Sequence, residues 1–288
     1  MSKLVQIMRT LRSMPPLPDV ASRILAIVRN PEYSIDGLVA VVRTDPALTT
    51  RILKLCNSSL FGLSQPISSV SDAVAYLGSR NLVKLVLVSC TASYFKNLPP
   101  NPYADPGLLW QQTLACSTAC QTLAERCGHG QPATAFTAGI LHNVGRIAMV
   151  QVVDAETLAT AASMMLDPLA SPLEVERKVI GLDHAAASGI VTESWNLPVE
   201  LRRAARNHHD LSHVATDDDL TALLHVADEL VMSMGIGDPL PERRHAPDPQ
   251  ALQRLGLGTA DLEPVRISVA QEVERIGKLL NPEPPVGR

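Results

Sequence analysis

The sequence predicts an all-α protein, on three observations. Apolar residues recur at helical spacing along almost the whole 288-residue chain. Prolines, glycines and capping side chains punctuate those runs. No segment shows the period-2 alternation of a half-buried strand, and no internal repeat is present. Composition agrees: the chain is 46% hydrophobic but only 3% aromatic, so its apolar content is Ala, Leu, Val and Ile, which suits closely packed helices.

The elements follow in order. MSKLVQIMRTLRSMPP lacks the continuous apolar core of a secretory signal and reads as a short amphipathic helix. Pro15, Pro16 and Pro18 break the chain before DVASRILAIVRN, where Val20, Ile24, Ile27 and Val28 form a stripe. Ser34 is placed to cap IDGLVAVVR. Thr44-Asp45-Pro46 is a sharper start signal, because Asp accepts orphan backbone N–H groups and proline suits the first helical position. That helix, PALTTRILKLCN, ends at NSSLFG. There Asn57 is expected to supply left-handed backbone and the serines to satisfy helix-end groups. Ser69 opens the next helix with Asp72 as a shortened capping box; Gly78 stops it and Ser79 starts another.

NLPPNPYADPG (97–107) reads as a linker between lobes. Helices are expected beyond it at about 107–127, 132–150, 155–166, 171–180, 184–195, 198–208 and 218–234, with Pro198 beginning the sixth. GIGDPLPERRHAPDPQ (235–250) reads as a mobile loop. Two amphipathic helices (249–256 and 259–280) and a frayed proline-rich tail complete the chain. Trp195, Met164 and Met165 are expected in the core, and Trp110 at the helix crossing between lobes.

Several function classes are disfavoured at this level. A net charge of −4 and a pI near 6.1 give no electrostatic reason to bind nucleic acid. Lys84 interrupts LVKLVLV, and His142 and Arg146 interrupt AGILHNVGRIAMVQVV, so neither reaches the roughly 20 clean residues of a membrane span. The five cysteines include no CxxC pair. Cys116 and Cys120 share a helix face, but two thiolates do not close a metal site. Reduced, buried thiols in a cytoplasmic protein are expected.

The residues that could carry chemistry are scattered histidines and one acidic follower: His142 beside Asn143, His184, His208-His209-Asp210, and Asp228. Imidazoles and carboxylates from different helices can converge on a divalent metal, and an N/O set of this kind suits Fe, Mn, Ni or Zn. Spacing alone favours structural or solvent-facing histidines over a metal site.

The order of motifs adds to this. MPPLPDVASRIL, RTDPALTTRILKLCNSSLFG and ISSVSDAVAYLGSRNLVKLVL are followed by LLWQQTLACSTACQTLA, AFTAGILHNVGRIAM, GLDHAAASGIVTESWNLPVELRRAARNHHD and LLHVADEL. Together they resemble the HDOD family, a non-catalytic branch of the HD phosphohydrolase group, over about residues 10 to 232. The resemblance implies an N-terminal helical lobe (1–100) packed on an HD-like helical lobe (101–234), with a loop and C-terminal helices (235–288). It places the first helix histidine of active HD enzymes at Gln112 and the paired His-Asp at His142-Asn143. Later histidines fall at His184, His208 and His209, and the final aspartate at Asp228. Two ligand positions are therefore changed, and HHDLSHVATDDD stands where a GYP-like segment would follow.

These residues imply a vestigial metal or ligand pocket of Gln112, His142, Asn143, His184, His208, His209 and Asp228. His184, His208 and His209 are the best candidates for any remaining divalent metal; no cofactor is expected. Arg202, Arg203 and Arg206 form either an anion-binding edge or a solvated helix face. The implied function is a bacterial signal-transduction adaptor in the cytoplasm, partnered by other signalling proteins and not by nucleic acid or membrane. The chain has no room for a separate receiver, GGDEF or EAL domain, so partners are expected on other polypeptides. The alternatives are a metal-dependent phosphohydrolase or phosphodiesterase and a small-ligand sensor using the vestigial pocket. Oligomeric state is not legible.

Overall fold

Capping side chains set most helix boundaries in the computed structural model, which describes residues 3–30, 32–58, 65–212, 214–215, 218–237 and 246–280. Sixteen α-helices and no strand occur among these residues. The first six are α1 (Lys3–Arg12), α2 (Asp19–Val28), α3 (Ile35–Arg43), α4 (Pro46–Cys56), α5 (Val70–Leu77) and α6 (Ser79–Lys96). Ser34 accepts from Gly37 N and Asp45 from Leu48 N, with Pro46 in the first turn, as the capping chemistry requires. The box at Ser69 is half formed. Ser69 Oγ accepts from Asp72 N, but the Asp72 carboxylate lies near Ser68 Oγ at 3.4 Å.

The second half contains α7 (Pro106–Cys127), α8 (Pro132–Leu141), α9 (Val144–Val152), α10 (Ala155–Met165), α11 (Pro172–Val179) and α12 (His184–Ser194). After these come α13 (Val199–Asn207), α14 (Asp219–Ser233), α15 (Pro249–Arg254) and α16 (Leu262–Leu280), the last preceded by a 3₁₀ turn at Thr259–Asp261. Asp105, Asp154, Ser171, Asp183, Asp218 and Asp248 cap helices through their side chains.

Two apolar cores result. One joins α2–α8 to α13–α16, and the other gathers α1 and α9–α12 with Phe95, Tyr103 and Leu109. Trp110, Tyr94 and Trp195 pack against both. Trp110 lies on Phe95 with ring centroids 4.7 Å apart, and Tyr94 lies 5.8 Å from Trp195. Trp195 Nε1 donates to Met14 O at 3.4 Å and Tyr94 Oη to Pro16 O at 2.7 Å, which fastens the segment after α1 across both. In α7, the middle of the helix is buried on every side from Gln112 to Gln121, as expected of a central helix.

Several sequence expectations need correction. The helix expected over 132–150 is two helices, because the chain turns at His142-Asn143. Asn57 is not left-handed (φ −86°). Its amide instead ties the end of α4 to Ile67: Nδ2 donates to Leu53 O and Ile67 O, and Oδ1 accepts from Ile67 N at 2.7 Å. The left-handed asparagine is Asn196 (φ 52°), between α12 and α13. Pro198 is the N-cap of α13 and lies outside it. Trp195, Met164 and Met165 are half-buried at the core margin. Ser59, residues 238–245 of the expected 235–250 loop and the proline-rich tail lie outside the described residues.

No single described helix is long and apolar enough to cross a membrane. Helices α5 and α6 pass that test only as a pair, and they meet at 119°.

Candidate functional site

The α8–α9 turn is the keystone of the histidine cluster. Ser188 Oγ on α12 donates to His142 O at 2.6 Å and accepts from Gly145 N at 2.9 Å. A methyl group on Gly145 would lie 2.1 Å from His184 O and 2.4 Å from Ser188 N. Only glycine lets α9 approach α12 this closely. The contact carries His142 towards His184.

Gln112 (α7), His142 (the turn), His184 (α12), His208 and His209 (after α13) and Asp228 (α14) come together in one pocket, and Asn143 follows His142 in the buried turn. The His208 ring centroid lies 5.3 Å from His142, 5.6 Å from His184 and 4.1 Å from His209. His184 Nε2 is 3.0 Å from His209 Nε2. Asp228 lies among them, with Oδ1 3.4 Å from His142 Nε2 and Oδ2 3.8 Å from His209 Nε2. Gln112 Nε2 donates to Asp228 Oδ1 at 3.0 Å.

Arg202, Arg203 and Arg206 stand elsewhere on α13, beside Glu193 (3.9 Å), Asp218 (3.5 Å) and Glu193 (3.6 Å) respectively.

Backbone and carboxylate acceptors orient the rings. His142 Nδ1 sits 2.6 Å from Gly139 O, and His208 Nδ1 2.9 Å from Ala205 O. Carbonyls only accept, so both Nδ1 atoms carry hydrogen and both Nε2 atoms face inward. Among the described residues neither buried Nε2 has a hydrogen-bond partner, and the same is true of Gln112 Oε1 and Asn143 Nδ2.

Glu176 on α11 was not singled out by sequence reasoning, yet it organises His184. Its carboxylate accepts from His184 N and Tyr103 Oη, both at 2.7 Å, and from His184 Nδ1 at 2.8 Å. The available signal was its place one helical turn before Ile180, a position shared with the buried face. Cys116, one turn after Gln112, was read only as a buried thiol.

Electrostatics follow from burial and crowding. Burial first, then His184, pushes His209 down to about 3; burial and His209 lower His208 as well. Burial alone would raise Glu176, but His184 and Arg146 outweigh it and hold the carboxyl at about 2. Burial would likewise raise Asp228, and the His142 contact instead brings it well below its ordinary value. For His142, burial lowers and Cys116 and Asp228 raise; the net shift is upward.

A pH dependence follows. Because His209 titrates lower in the folded state, stability is full above pH 6.5 and falls as pH drops from 6.5 towards 3. Glu176 adds to the loss between 4.5 and about 2. His142 acts oppositely, its contribution being lost as pH rises through its raised value. Urea unfolding should therefore show lower stability at pH 5 than at pH 7, by about 2 kcal/mol for His209 alone. A flat profile across that interval would contradict the burial of a neutral His209.

Two donor groups in the pocket could hold a metal: His184, His208 and His209, and separately Cys116, His142 and Asp228. Within each group the ligand atoms lie within 4.8 Å of one another. The buried Nε2 of His208, which makes no hydrogen bond, and that of His142, with only the Asp228 carboxylate at 3.4 Å, fit a cation, since an unsatisfied buried polar group costs about 1–3 kcal/mol.

The family model for the HDOD domain matches residues 14–211. This chain belongs to the HDOD family. A curated relative, an uncharacterized protein of Treponema pallidum (strain Nichols), is 26% identical over 201 residues, 69% of this chain but only 38% of the relative. The chain thus spans well under half of that protein's length. Among solved structures, an HDOD domain protein of unknown function from Geobacter sulfurreducens aligns with a TM-score of 0.76 at 23% identity, covering 96% of this chain and 97% of that one. A Marinobacter aquaeolei VT8 protein named as a candidate signal transduction protein gives 0.78 at 23%, covering 93% of this HDOD chain and 59% of that one. A Shewanella amazonensis SB2B protein named as a candidate phosphohydrolase gives 0.70 at 24%, covering 96% and 98%. At these identities the likeness shows the shared all-helical fold.

Proposed function

We propose that this HDOD protein is a bacterial signalling adaptor that acts by contact with other signalling proteins in the cytoplasm, without hydrolysis. The observation that carries this reading is the bond from Gln112 Nε2 to Asp228 Oδ1 at 3.0 Å. A neutral amide occupies the place that the HD pattern gives to an imidazole ligand, and it uses a lone pair of the last carboxylate. Asn143 likewise replaces the carboxylate that would bridge or anchor metal, removing one charge and one acceptor oxygen. Metal-assisted hydrolysis needs an activated water held against such ligands, and this pocket has lost two of the groups that hold it.

A second reading, a ligand sensor, is favoured by one feature. A cleft of about 280 Å³ lined by Asn101, Tyr103, Leu108, Gln112, Arg146 and Gly237 opens beside the pocket, and Arg146 Nε in it is buried without a hydrogen-bond acceptor.

The adaptor reading is tested with His208→Ala/His209→Ala in the native host, at equal abundance and with helical content verified. The set of proteins captured with the variant should match that of the wild type. Loss of that set together with a wild-type phosphodiesterase activity would favour the enzyme.

A further inference from the structure

The side chain one turn beyond Gln112 on α7 is Cys116, and it does not face apolar neighbours alone. Its Sγ, a His142 nitrogen and an Asp228 oxygen all lie within 4.8 Å of one another. Cys116 matches no ligand of the HD pattern. The buried Cys120 has no such surroundings, its Sγ meeting Leu223 O at 4.0 Å.

We propose that Cys116, His142 and Asp228 form a closed structural site for a thiophilic divalent metal, zinc foremost, which ties α7 and α14 to the α8–α9 turn. Geometry supports it. His142 Nε2 and Asp228 Oδ1 are 3.4 Å apart, close to the edge of a tetrahedron with bonds of about 2.0–2.1 Å. The hydrogen of His142 is fixed on Nδ1 by Gly139 O at 2.6 Å, which leaves Nε2 as the ligand atom, and that atom has no hydrogen-bond partner among the described residues. Gln112 Nε2, donating to Asp228 Oδ1, orients the carboxylate as outer partners of metal ligands do.

Ligand chemistry selects the ion. A thiolate with an imidazole and a carboxylate suits zinc or cobalt(II) and disfavours magnesium, calcium and manganese. Burial selects the role: Cys116 and His142 are 0% exposed and Asp228 2%, so a substrate has no approach and the site is structural. Gln112 Oε1, buried and without a partner, or a water completes the coordination. On binding, the Cys116 S–H and His142 Nε2–H bonds break, both electron pairs go to the metal and both protons to solvent; Asp228 enters as the carboxylate. The thiolate returns to the pocket a negative charge that Asn143 does not supply. This inference does not depend on the adaptor reading, because a closed site says nothing about output.

The test uses the full chain, stripped with chelator, checked for helical content and titrated with cobalt(II). A sulfur-to-cobalt charge-transfer band with tetrahedral visible bands is expected, saturating near one equivalent and displaced by zinc. Cys116→Ser and Cys116→Ala should both lose the charge-transfer band and weaken zinc binding by at least about 100-fold, the upper end for an outer-shell partner. Cys120→Ser and His208→Ala/His209→Ala should keep the band. A cobalt spectrum without sulfur character, a band that survives in both Cys116 variants, binding that disappears in the double histidine variant, or no binding by folded wild type would each overturn the proposal.

Discussion

Replacing Gly145 with alanine is expected to destabilise the protein by about 4 kcal/mol or more, the range in which single substitutions break a packed core. The added methyl would stand 2.1 Å from His184 O, 2.4 Å from Ser188 N and 2.7 Å from Ser188 Oγ. Two of these are backbone atoms of a buried helix and cannot swing away. Helices α9 and α12 must separate, and with them go the Gly145 N to Ser188 Oγ bond and the Ser188 Oγ to His142 O bond. A useful control is Gly37→Ala on α3, where the nearest atom is Ser34 Cβ at 3.6 Å, an ordinary contact. There alanine should be neutral or stabilising by about 0.5–1 kcal/mol through helix propensity. Chemical denaturation of both variants measures the contrast, and a Gly145→Ala loss below about 1 kcal/mol would contradict the close approach.

Glu176→Ala should cost about 3–5 kcal/mol, the cost of breaking a buried charged network by removing one partner. The carboxylate is 0% exposed, and its loss strands His184 N, His184 Nδ1 and Tyr103 Oη in the interior. Arg146, whose Nε lies 3.8 Å from Oε1, is left without its nearest anion. Glu176→Gln keeps the shape and one carbonyl oxygen, so it should retain part of the stability and separate packing from charge. The His184 ring loses its anchor in both, which NMR of its ring nitrogens would register. Near-wild-type stability for the alanine variant would show that these short bonds contribute little.

The legibility of the sequence was uneven for physical reasons. Caps such as Ser34, Asp45 and Ser69 act within four residues, so local chemistry locates their helices, and those starts agree with the structure. The break at His142-Asn143 was not visible, because no proline or turn-forming pair marks it. It is imposed by the contact of Gly145 with α12, some 40 residues away in sequence. The histidines and Asp228 could be named from motif order, but their convergence depends on how five helices pack. Glu176 carried no signal of its own because its partners, Tyr103 and His184, come from other segments. Cys116 was dismissed by counting thiolates, although its neighbours in space are an imidazole and a carboxylate.

Turnover measurements decide whether the pocket has lost hydrolysis. The purified protein, loaded in turn with zinc, manganese, iron(II) and nickel, is offered cyclic dinucleotides, nucleotides and simple phosphodiesters. Gln112→His/Asn143→Asp and His208→Ala/His209→Ala are run beside it. No turnover by the wild type is expected with any metal, at levels indistinguishable from the double histidine variant. Metal-dependent hydrolysis by the wild type that is abolished in His208→Ala/His209→Ala would contradict it.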